Sequence, residues 1–491
     1  MMKLCKILSL LLSVFLICGL FSACNEDYKD AFIYIDFDTI PTNLDPQLAD
    51  TDEEFIVVRS LFDTLLRYDA DGNIVPSGAE SYEKNNNVYT FKLRRDAKWN
   101  DGSKVTAHDY VFAFKRALDP ATKAPFANSL YSVVGAEDIN KNGADMSALG
   151  VTADDDYTLT IKLCRDDPEF DKVLTSAVTM PCNQQYFESC KGKYGLTLDT
   201  TPSNGSYYIR KWTTETKFLI RLAKNLDYTG PFEANSMRIY YTCGDEAAAD
   251  MLAHDNTDLV YYSTEEYTSV TEGGFETINI ENIAYSLFIN NSIDPDIRKA
   301  LMQSISADSY KDYLLGTQSP ADSVYPGILL GNSYVKITDY VKHDCESAAK
   351  LYADKILEGV KFEGVTIKHP DDETSHKIAT AIAGHWQQKL SCFINIEEAS
   401  LSSIATSYYG NYYDIIILPF SAPTGTVSAY NAKLGFDSSD MSSVSKTLYE
   451  NFNCYPLFHS FTGIGVGSKI QNMKSAVHNG IIDSSILIKQ P

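Results

Sequence analysis

The sequence is poor in positive charge. Its 491 residues include 42 Lys and Arg against 65 Asp and Glu, which gives a formal net charge of -23 at pH 7. Removal of residues 1–23 would take away two lysines and no acid, so 40 minus 65 would leave a charge of -25. A surface of this sign repels nucleic acid and anionic lipid headgroups. The composition therefore argues against nucleic acid as a partner and against adsorption to anionic membranes.

Long apolar runs are lacking after residue 21. The single run, residues 7–21, follows Lys3 and Lys6. It is too short, and its flanks are wrong, for a helix that stays in the membrane. The pattern instead predicts a secretory signal peptide over residues 1–23.

The end of this run carries a cysteine. Ser22 and Ala23 precede Cys24, and small residues before a cysteine resemble a bacterial lipobox, in which Cys24 is lipidated and becomes the new N-terminus. Phe21 stands where a smaller aliphatic residue is usual. The alternative is an ordinary secretory peptide that is cut after Ala23. Residues 24–31 would then form a polar tether.

The cysteines show no metal-binding or redox spacing. None is arranged as C-x-x-C, which argues against a zinc ribbon and a thioredoxin-like motif. An odd number remains after Cys24, so all of them cannot pair within one chain. One or more disulfides, with Cys182 and Cys190 the closest pair, are one interpretation. The favoured interpretation is small core residues in an organism that lives under reducing or anoxic conditions. The seven are Cys164, Cys182, Cys190, Cys243, Cys345, Cys392 and Cys454.

Familiar catalytic motifs are missing as well. The chain contains neither G-x-S-x-G nor H-E-x-x-H. Asp69, Asp71 and Glu80 fall at three positions of a calcium-binding loop, but Gly72 comes two places early and Pro76 interrupts the loop. A hairpin turn is therefore the favoured interpretation.

One histidine cluster has the residue types of a metal site. His369, Asp371, Asp372 and His376 lie close together in the sequence. Since no further ligand has a fixed spacing from them, a solvated strand-to-helix connection is favoured. We expect no enzyme activity, no cofactor and no metal site.

What the sequence does contain is a dense series of structural signals between residues 60 and 120. Apolar residues at helical spacing over 55–66 lead to Asp71-Gly72, a dipeptide that favours a reversal with positive φ. A strand pattern over 88–93 follows, and residues 99–102 form a second turn signal.

A capped helix completes this series. Thr106 is followed three residues later by Asp109, which predicts a helix over 110–118. Helix, turn, strand, turn and capped helix thus follow one another with few residues between them.

This order of residues resembles the periplasmic oligopeptide-binding proteins, which are the family 5 extracellular solute-binding proteins of ABC importers. The first family signature is similar to LFDTLL at 61–66, the following Asp-Gly turn and AES at 79–81. The second is similar to FKLR at 91–94, KWNDG at 98–102, VTAHD at 105–109 and DP at 119–120. Further blocks that resemble the family are NLDP at 43–46, SNGSYY at 203–208, KNLDY at 224–228 and RKAL at 298–301.

The resemblance implies an α/β protein with the two-lobed periplasmic binding protein fold, type II and cluster C-like, with an additional inserted subdomain. Strands that alternate with helices between residues 285 and 418 also predict an α/β lobe with a parallel core. The expected division is signal peptide 1–23, tether 24–31, lobe I over 32–65 plus 175–280 plus 465–491, inserted subdomain 66–174, and lobe II over 281–464.

The part of the chain expected to meet the ligand departs from the family pattern. In peptide-binding relatives, an aspartate after one strand holds the peptide ammonium group. Pro423 occupies that position here, Ile417 occupies a basic position and Leu401 a tryptophan position. Aromatic side chains able to stack on a ligand or to pack between lobes are found instead. They are Tyr408, Tyr409, Tyr412, Tyr413, Phe420 and Tyr430.

We expect Asp50, Tyr408, Phe420 and Tyr430 to lie near the ligand. Asp50 belongs to the segment that carries an acidic residue into the cleft in relatives, and a solvated loop acid is the equal alternative. Binding through backbone hydrogen bonds needs few side chains and tolerates the substitutions above, so a short peptide is the expected ligand. A nickel chelate, an oligosaccharide or a conjugate is the alternative on the same scaffold.

The resemblance also implies a role and a location. The protein would be an exported, monomeric solute-binding lipoprotein that delivers its ligand to an ABC permease and ATPase. The lipid on Cys24 would be its single membrane contact, at the outer face of the cytoplasmic membrane, on the cell surface or in the periplasm. The rival hypothesis is a surface receptor or adhesin that kept the fold and lost transport.

Overall fold

The structure is a computed structural model. It describes residues 32–37, 39–213, 218–230, 236–241, 247–262, 264, 266–330, 334–421, 426–436, 438, 440–478, 481–483 and 487–490. The predictions for the signal peptide, Cys24, the tether, Cys243 and Pro423 lie outside the described residues.

Two long antiparallel strands run through the middle of the protein. They span Glu276–Ile289 and Cys454–Val466, and we call them the hinge strands. Their pairing shifts register between Ile280 and Ile283, so the first strand carries a bulge there. A bulge bends a strand and increases its twist. The two ends of the hinge strands therefore point into different parts of the molecule.

One large sheet of eleven described strands is built around the hinge strands. Beside one end of the hinge strands lie Phe32–Asp36, Tyr207–Thr213, Phe218–Lys224, Ser236–Tyr241 and Leu259–Tyr262. Beside the other end lie Gln318–Pro320, Thr366–Pro370, Asn395–Ala399 and Ile415–Ser421. Thr366–Pro370 pairs in parallel with both Asn395–Ala399 and Ile415–Ser421. This confirms the predicted parallel core.

Smaller sheets complete the strands. A four-stranded antiparallel sheet has the order Ala79–Asn85, Val88–Leu93, Thr158–Lys162, Val151–Asp155. Two-stranded sheets pair Leu66–Tyr68 with Ile74–Pro76 and Val477–His478 with Ile481–Ile482.

The first of these pairs confirms the hairpin turn predicted over the acidic loop. The Asp69 carboxylate accepts the backbone N–H groups of Asp71 at 3.0 Å and Asn73 at 2.8 Å. Gly72 has φ +82°, the left-handed region that a glycine adopts without a Cβ clash. The carboxylate therefore organises the turn.

The helices lie between the strands and around the sheets. They span Asp52–Leu61, Ala107–Leu118, Ala136–Asn142, Phe170–Val173, Gln184–Ser189, Ala248–Ala253, Tyr267–Glu272, Pro295–Ser304, Cys345–Leu357, Glu373–Leu390, Leu401–Tyr409, Val427–Lys433 and Met441–Glu450.

Two helix boundaries correct the sequence-based ones. The helix predicted over 55–66 spans Asp52–Leu61, because Thr51 caps its start and the chain turns to an extended conformation at Phe62. The helix predicted over 110–118 begins at Ala107. Its cap is as predicted: the Asp109 carboxylate accepts the Thr106 backbone N–H at 2.8 Å.

Buried apolar side chains form two large clusters. One holds residues between 33 and 280 and between 464 and 487, and we call the part built on it lobe I. The other holds residues between 287 and 458, and we call that part lobe II. Residues 66–174 contribute to the lobe I cluster through Phe91 and Phe114, so the expected subdomain shares a core with lobe I. Its limits stay a prediction.

The six described cysteines are free thiols. Cys182, Cys392 and Cys454 are buried, as expected for small core residues. Cys164 is exposed, and Cys190 does not pair with Cys182.

The histidine cluster spans the end of the strand Thr366–Pro370 and the start of the helix Glu373–Leu390, as predicted, but the connection is not solvated throughout, because His369 is fully buried. Asp372 caps the helix Glu373–Leu390 by accepting the Ser375 N–H at 2.8 Å. His376 Nδ1 lies 3.2 Å from His369 Nε2. Within the described ranges, no set of three acidic, cysteine or histidine side chains could hold a metal ion.

None of the helices in the described part of the chain combines the length and the apolar character that crossing a membrane requires.

Candidate functional site

The candidate site is the cleft between the two lobes. On the lobe I side it is formed by a loop that one buried carboxylate fixes in place. Glu54 Oε1 accepts the backbone N–H groups of Thr42 at 3.0 Å and Asn43 at 2.7 Å. Its Oε2 accepts the backbone N–H of Asp50 at 3.1 Å. Charge-assisted bonds to backbone groups are strong and directional. Glu54 therefore holds both ends of the loop 42–50 and fixes the position of Asp50.

Asp50 is an exposed acid of lobe I. Surrounding protein atoms and the neighbouring Glu54 raise the pKa of its carboxyl above the usual range, and Lys433 of lobe II opposes this. Such an effect requires Lys433 to lie within electrostatic range of Asp50. The structure thus brings the predicted acid close to a lysine that the sequence pattern did not single out.

Lys433 is held in place by Ser421 and Phe126. Its Nζ donates to the backbone oxygen of Ser421 at 2.9 Å and lies 4.7 Å from the centroid of the Phe126 ring. Burial lowers the pKa of Lys433 to about 8, and Asp50 opposes this shift. Burial disfavours the charged form of a lysine, so a negatively charged group of a ligand nearby would stabilise it.

The helix Val427–Lys433, which we call the cleft helix, also contacts lobe I. The Glu169 carboxylate accepts the Val427 backbone N–H at 2.8 Å. Asn128 Nδ2 donates to the backbone oxygen of Ala429 at 2.9 Å. Both partners belong to the expected subdomain 66–174. The lobes are therefore in contact on this side of the cleft, through polar bonds that exchange readily with water.

The three aromatic residues predicted to lie near the ligand come together inside lobe II. Tyr430 is 1% exposed, and its hydroxyl donates to the backbone oxygen of Val324 at 2.8 Å. Phe420 is 5% exposed, with ring centroids 5.6 Å from Tyr408 and 6.2 Å from Tyr430. The Tyr408 hydroxyl donates to the backbone oxygen of Leu434 at 3.2 Å. In this structure they support the cleft helix from within, and their contact with a ligand stays a prediction.

The structure also shows where two positions that differ from the family pattern lie. Ile417 is fully buried in the strand Ile415–Ser421, so an apolar side chain packs there. Leu401 is 49% exposed at the start of the helix Leu401–Tyr409.

The bulge in the hinge strands is tied to lobe I. Asn282, which lies in the bulge, donates from Nδ2 to Asp52 Oδ2 at 2.8 Å. Thr462 of the other hinge strand donates to the same oxygen at 2.7 Å. Asp52 begins the helix that follows Asp50. The hinge and the acidic loop are thus one hydrogen-bonded unit.

A histidine and a carboxylate on the two hinge strands lie beside this unit. The His459 ring is hydrogen-bonded to the Glu281 carboxylate and lowers the pKa of that carboxyl. His459 Nε2 lies 2.9 Å from the backbone oxygen of Ser323. His459 therefore connects the two hinge strands to each other, through Glu281, and to lobe II, through Ser323.

The comparison with known families decides the assignment. Residues 73–442 match the model of a family described as bacterial extracellular solute-binding proteins, family 5 Middle. That span covers most of the chain. The chain belongs to this family.

This family 5 solute-binding protein is 27% identical over 414 residues to the oligopeptide-binding protein OppA of Bacillus subtilis, and the aligned region covers 78% of this chain and 73% of OppA. Solved structures of similar proteins show the same fold. The Listeria monocytogenes OppA bound to peptide superposes with TM-score 0.75 and 21% identity over 94% of this chain and 100% of that one. The Haemophilus influenzae OppA complex with RPPGFSPFR gives TM-score 0.74 and 22% identity over 94% and 99% of the two chains. The predicted two-lobed α/β fold is confirmed.

Proposed function

We propose that this solute-binding protein captures short peptides in the cleft between its lobes and delivers them to an ABC permease and its ATPase. It acts by binding and release and not as an enzyme. A monomer is sufficient for this role, because one chain supplies both walls of the cleft.

The pair of opposite charges at the cleft carries the proposal. Asp50 of lobe I and Lys433 of lobe II lie within electrostatic range of each other. A short peptide carries an ammonium group at one end and a carboxylate at the other, so it is complementary to such a pair. The relatives named for oligopeptides and the solved complexes with peptides support the same ligand class.

Backbone groups would supply most of the remaining contacts. The aspartate position of the peptide-binding pattern is not kept, and Ile417 is buried. Recognition through main-chain hydrogen bonds does not depend on these side chains. Asp50 then selects for a free ammonium group, and Tyr408, Phe420 and Tyr430 shape the wall on the lobe II side.

Ligand screening by thermal shift and calorimetry tests the proposal. A library of short peptides, a set of oligosaccharides and nickel chelates would be compared at equal concentration. A ligand that binds the folded state raises the melting temperature in proportion to its saturation. We expect peptides to do so. If sugars or chelates raise the melting temperature and no peptide does, the peptide assignment is overturned. The assignment to a solute-binding protein of a transporter would still stand.

We propose further that the protein is exported and held at the outer face of the cytoplasmic membrane by a lipid on Cys24. The positively charged start, the apolar run and Ser22-Ala23-Cys24 support this. In cells, Cys24→Ser should release the protein from the membrane fraction, and mass spectrometry of the wild type should find a diacylglycerol-modified N-terminus at residue 24. An unmodified N-terminus at that residue would favour the ordinary secretory peptide.

A further inference from the structure

Lobe I contains a polar pocket that is separate from the cleft. The pocket encloses about 590 Å³ of space, including its opening to solvent. All of its lining residues belong to lobe I. They include the end of the helix Asp52–Leu61, the strand Leu66–Tyr68 and the hairpin near the C-terminus.

Two arginines and a histidine line this pocket. Arg59 uses Nη1 to donate to the backbone oxygen of Thr175 at 3.1 Å, and burial lowers the pKa of its guanidinium to about 10. Arg67 Nε is buried without a hydrogen-bond partner among the described residues. His478 Nε2 is likewise buried and unpartnered within the described part of the chain. A buried N–H without an acceptor is costly, so Arg67 favours a ligand that accepts hydrogen bonds, and His478 does the same in the tautomer that carries its proton on Nε2.

Two acids, Asp63 and Asp483, also line the pocket. Asp483 acts electrostatically on Arg59, and Asp63 already has donors. Asp63 accepts the Ser77 hydroxyl at 2.5 Å and the Tyr228 hydroxyl at 3.3 Å. Burial raises the pKa of this carboxyl to about 6, against the effect of these hydrogen bonds and of Arg67. The Asp63 carboxylate is therefore satisfied by hydroxyl groups, and Arg67 keeps its Nε–H donor for another partner.

A third unpartnered group lies on the far side of Asp63. Tyr110 is 1% exposed, and its hydroxyl has no hydrogen-bond partner among the described residues. It lines an adjoining pocket that shares Asp63 and Tyr228 with the first and also includes Arg94. Both pockets that Asp63 lines thus contain a polar group without a partner among the described residues.

We propose that this pocket, lined by Arg59, Arg67 and His478, binds a small oxyanion, either phosphate or the carboxylate group of a small organic acid. Planar guanidinium groups match the oxygen spacing of both anions and can bind them with two parallel hydrogen bonds. The site is independent of the peptide cleft, because no residue of lobe II lines it.

Calorimetry on the full chain with inorganic phosphate and with succinate tests this proposal and separates the two sources. We expect one of them to bind with a stoichiometry of one. Arg67→Met should weaken that affinity at least about tenfold, since it removes charge-assisted hydrogen bonds. Arg67→Lys keeps the charge without the planar fork and should give a smaller loss. Arg210→Met, at an exposed arginine outside the pocket, is the matched control and should bind like the wild type.

Two further measurements keep the outcome clear. Asp50→Asn alters the cleft and should leave the affinity for the anion unchanged, whatever the cleft ligand proves to be. Melting temperatures show whether each variant is folded. If Arg67→Met does not fold, the test uses Arg67→Lys instead. No binding of either anion at millimolar concentration, equal binding in the wild type and the Arg67 variants, or loss of binding in Asp50→Asn would each overturn the proposal.

Discussion

The Arg116 guanidinium forms a two-point salt bridge with the Asp45 carboxylate inside lobe I. The Nη2 to Oδ2 distance is 2.5 Å and the Nη1 to Oδ1 distance is 3.2 Å, with the two side chains 7% and 2% exposed. Arg116 also donates to Gln47 Oε1 at 2.7 Å and lies 4.0 Å from the Phe187 ring centroid. Asp45 belongs to the block at 43–46 and Arg116 to the helix Ala107–Leu118. Two separate parts of the family pattern are therefore joined by one buried ion pair.

Breaking this pair should destabilise lobe I strongly. Asp45→Asn removes the charge that compensates buried Arg116, which typically costs about 3 to 5 kcal/mol of unfolding free energy. Urea unfolding followed by circular dichroism measures the change. Glu450→Gln is the control, because its pair with Lys446 spans 3.8 Å between exposed side chains and should matter by less than about 1 kcal/mol. Equal effects of the two substitutions would contradict the assignment of a buried pair.

Loss of the Glu169 carboxylate should loosen the contact between the lobes. Glu169→Ala removes the acceptor of the Val427 N–H, a hydrogen bond worth about 1 to 3 kcal/mol net, and so shifts the population towards open arrangements. Solution scattering should show a larger radius of gyration, and amide exchange in Val427–Lys433 should become faster. Glu83→Ala, at an exposed acid of the same subdomain, should change neither quantity. If Glu169→Ala behaves like that control, the contact does not hold the lobes together.

Asp50 should select ligands with a free ammonium group. Asp50→Asn keeps the size of the side chain but removes its charge, so the affinity for an unmodified peptide should fall about tenfold. The same peptide with an acetylated N-terminus should bind the wild type and the variant equally. Calorimetry with both peptides measures this difference. Asp71→Asn, in the exposed hairpin turn, is the matched control. A similar loss for both peptides would assign Asp50 a structural role.

Lys433 should give stability a distinct dependence on pH. Its folded-state pKa of about 8 lies below its ordinary value of 10.5. Between these values the folded protein has released the proton and the unfolded chain still holds it, so stability rises with pH across this interval. Relative to Lys433→Met, the wild type should gain roughly 2 kcal/mol over the same range. Urea unfolding at several pH values measures the gain, and Lys446→Met, at an exposed lysine, is the control. Parallel curves for the wild type and Lys433→Met would show that Lys433 is well solvated.

Local sequence signals predicted much of the fold. The Asp-Gly turn and the cap formed by Thr106 and Asp109 both appear as expected. These signals work because turn geometry and helix caps depend on residues only a few positions apart. Helix ends were less predictable. After Leu61 the helix ends but the apolar residues continue into buried extended chain, so the pattern does not mark the boundary.

The candidate site could be predicted only in part. Asp50 followed from its position after the block at 43–46. Lys433 did not, since nothing in its local sequence separates it from the other lysines, and its altered pKa comes from burial beside Phe126 and Ser421. Tyr430 and Phe420 illustrate the opposite case. Aromatic residues in a region that departs from the family pattern fit a binding site and a core equally well, and their 1% and 5% exposure was decided by packing within lobe II.

The sequence by itself determined the family, the alternation of strands and helices and the acidic character of the chain, because these follow from composition and from neighbours along the chain. The tertiary structure alone decided which distant residues meet. Asp45 meets Arg116, Glu169 meets Val427 and Asp52 meets Asn282 across separations of 71, 258 and 230 residues. Such contacts form where the whole chain can bury its apolar surface with its polar groups still paired, and no local pattern records that condition.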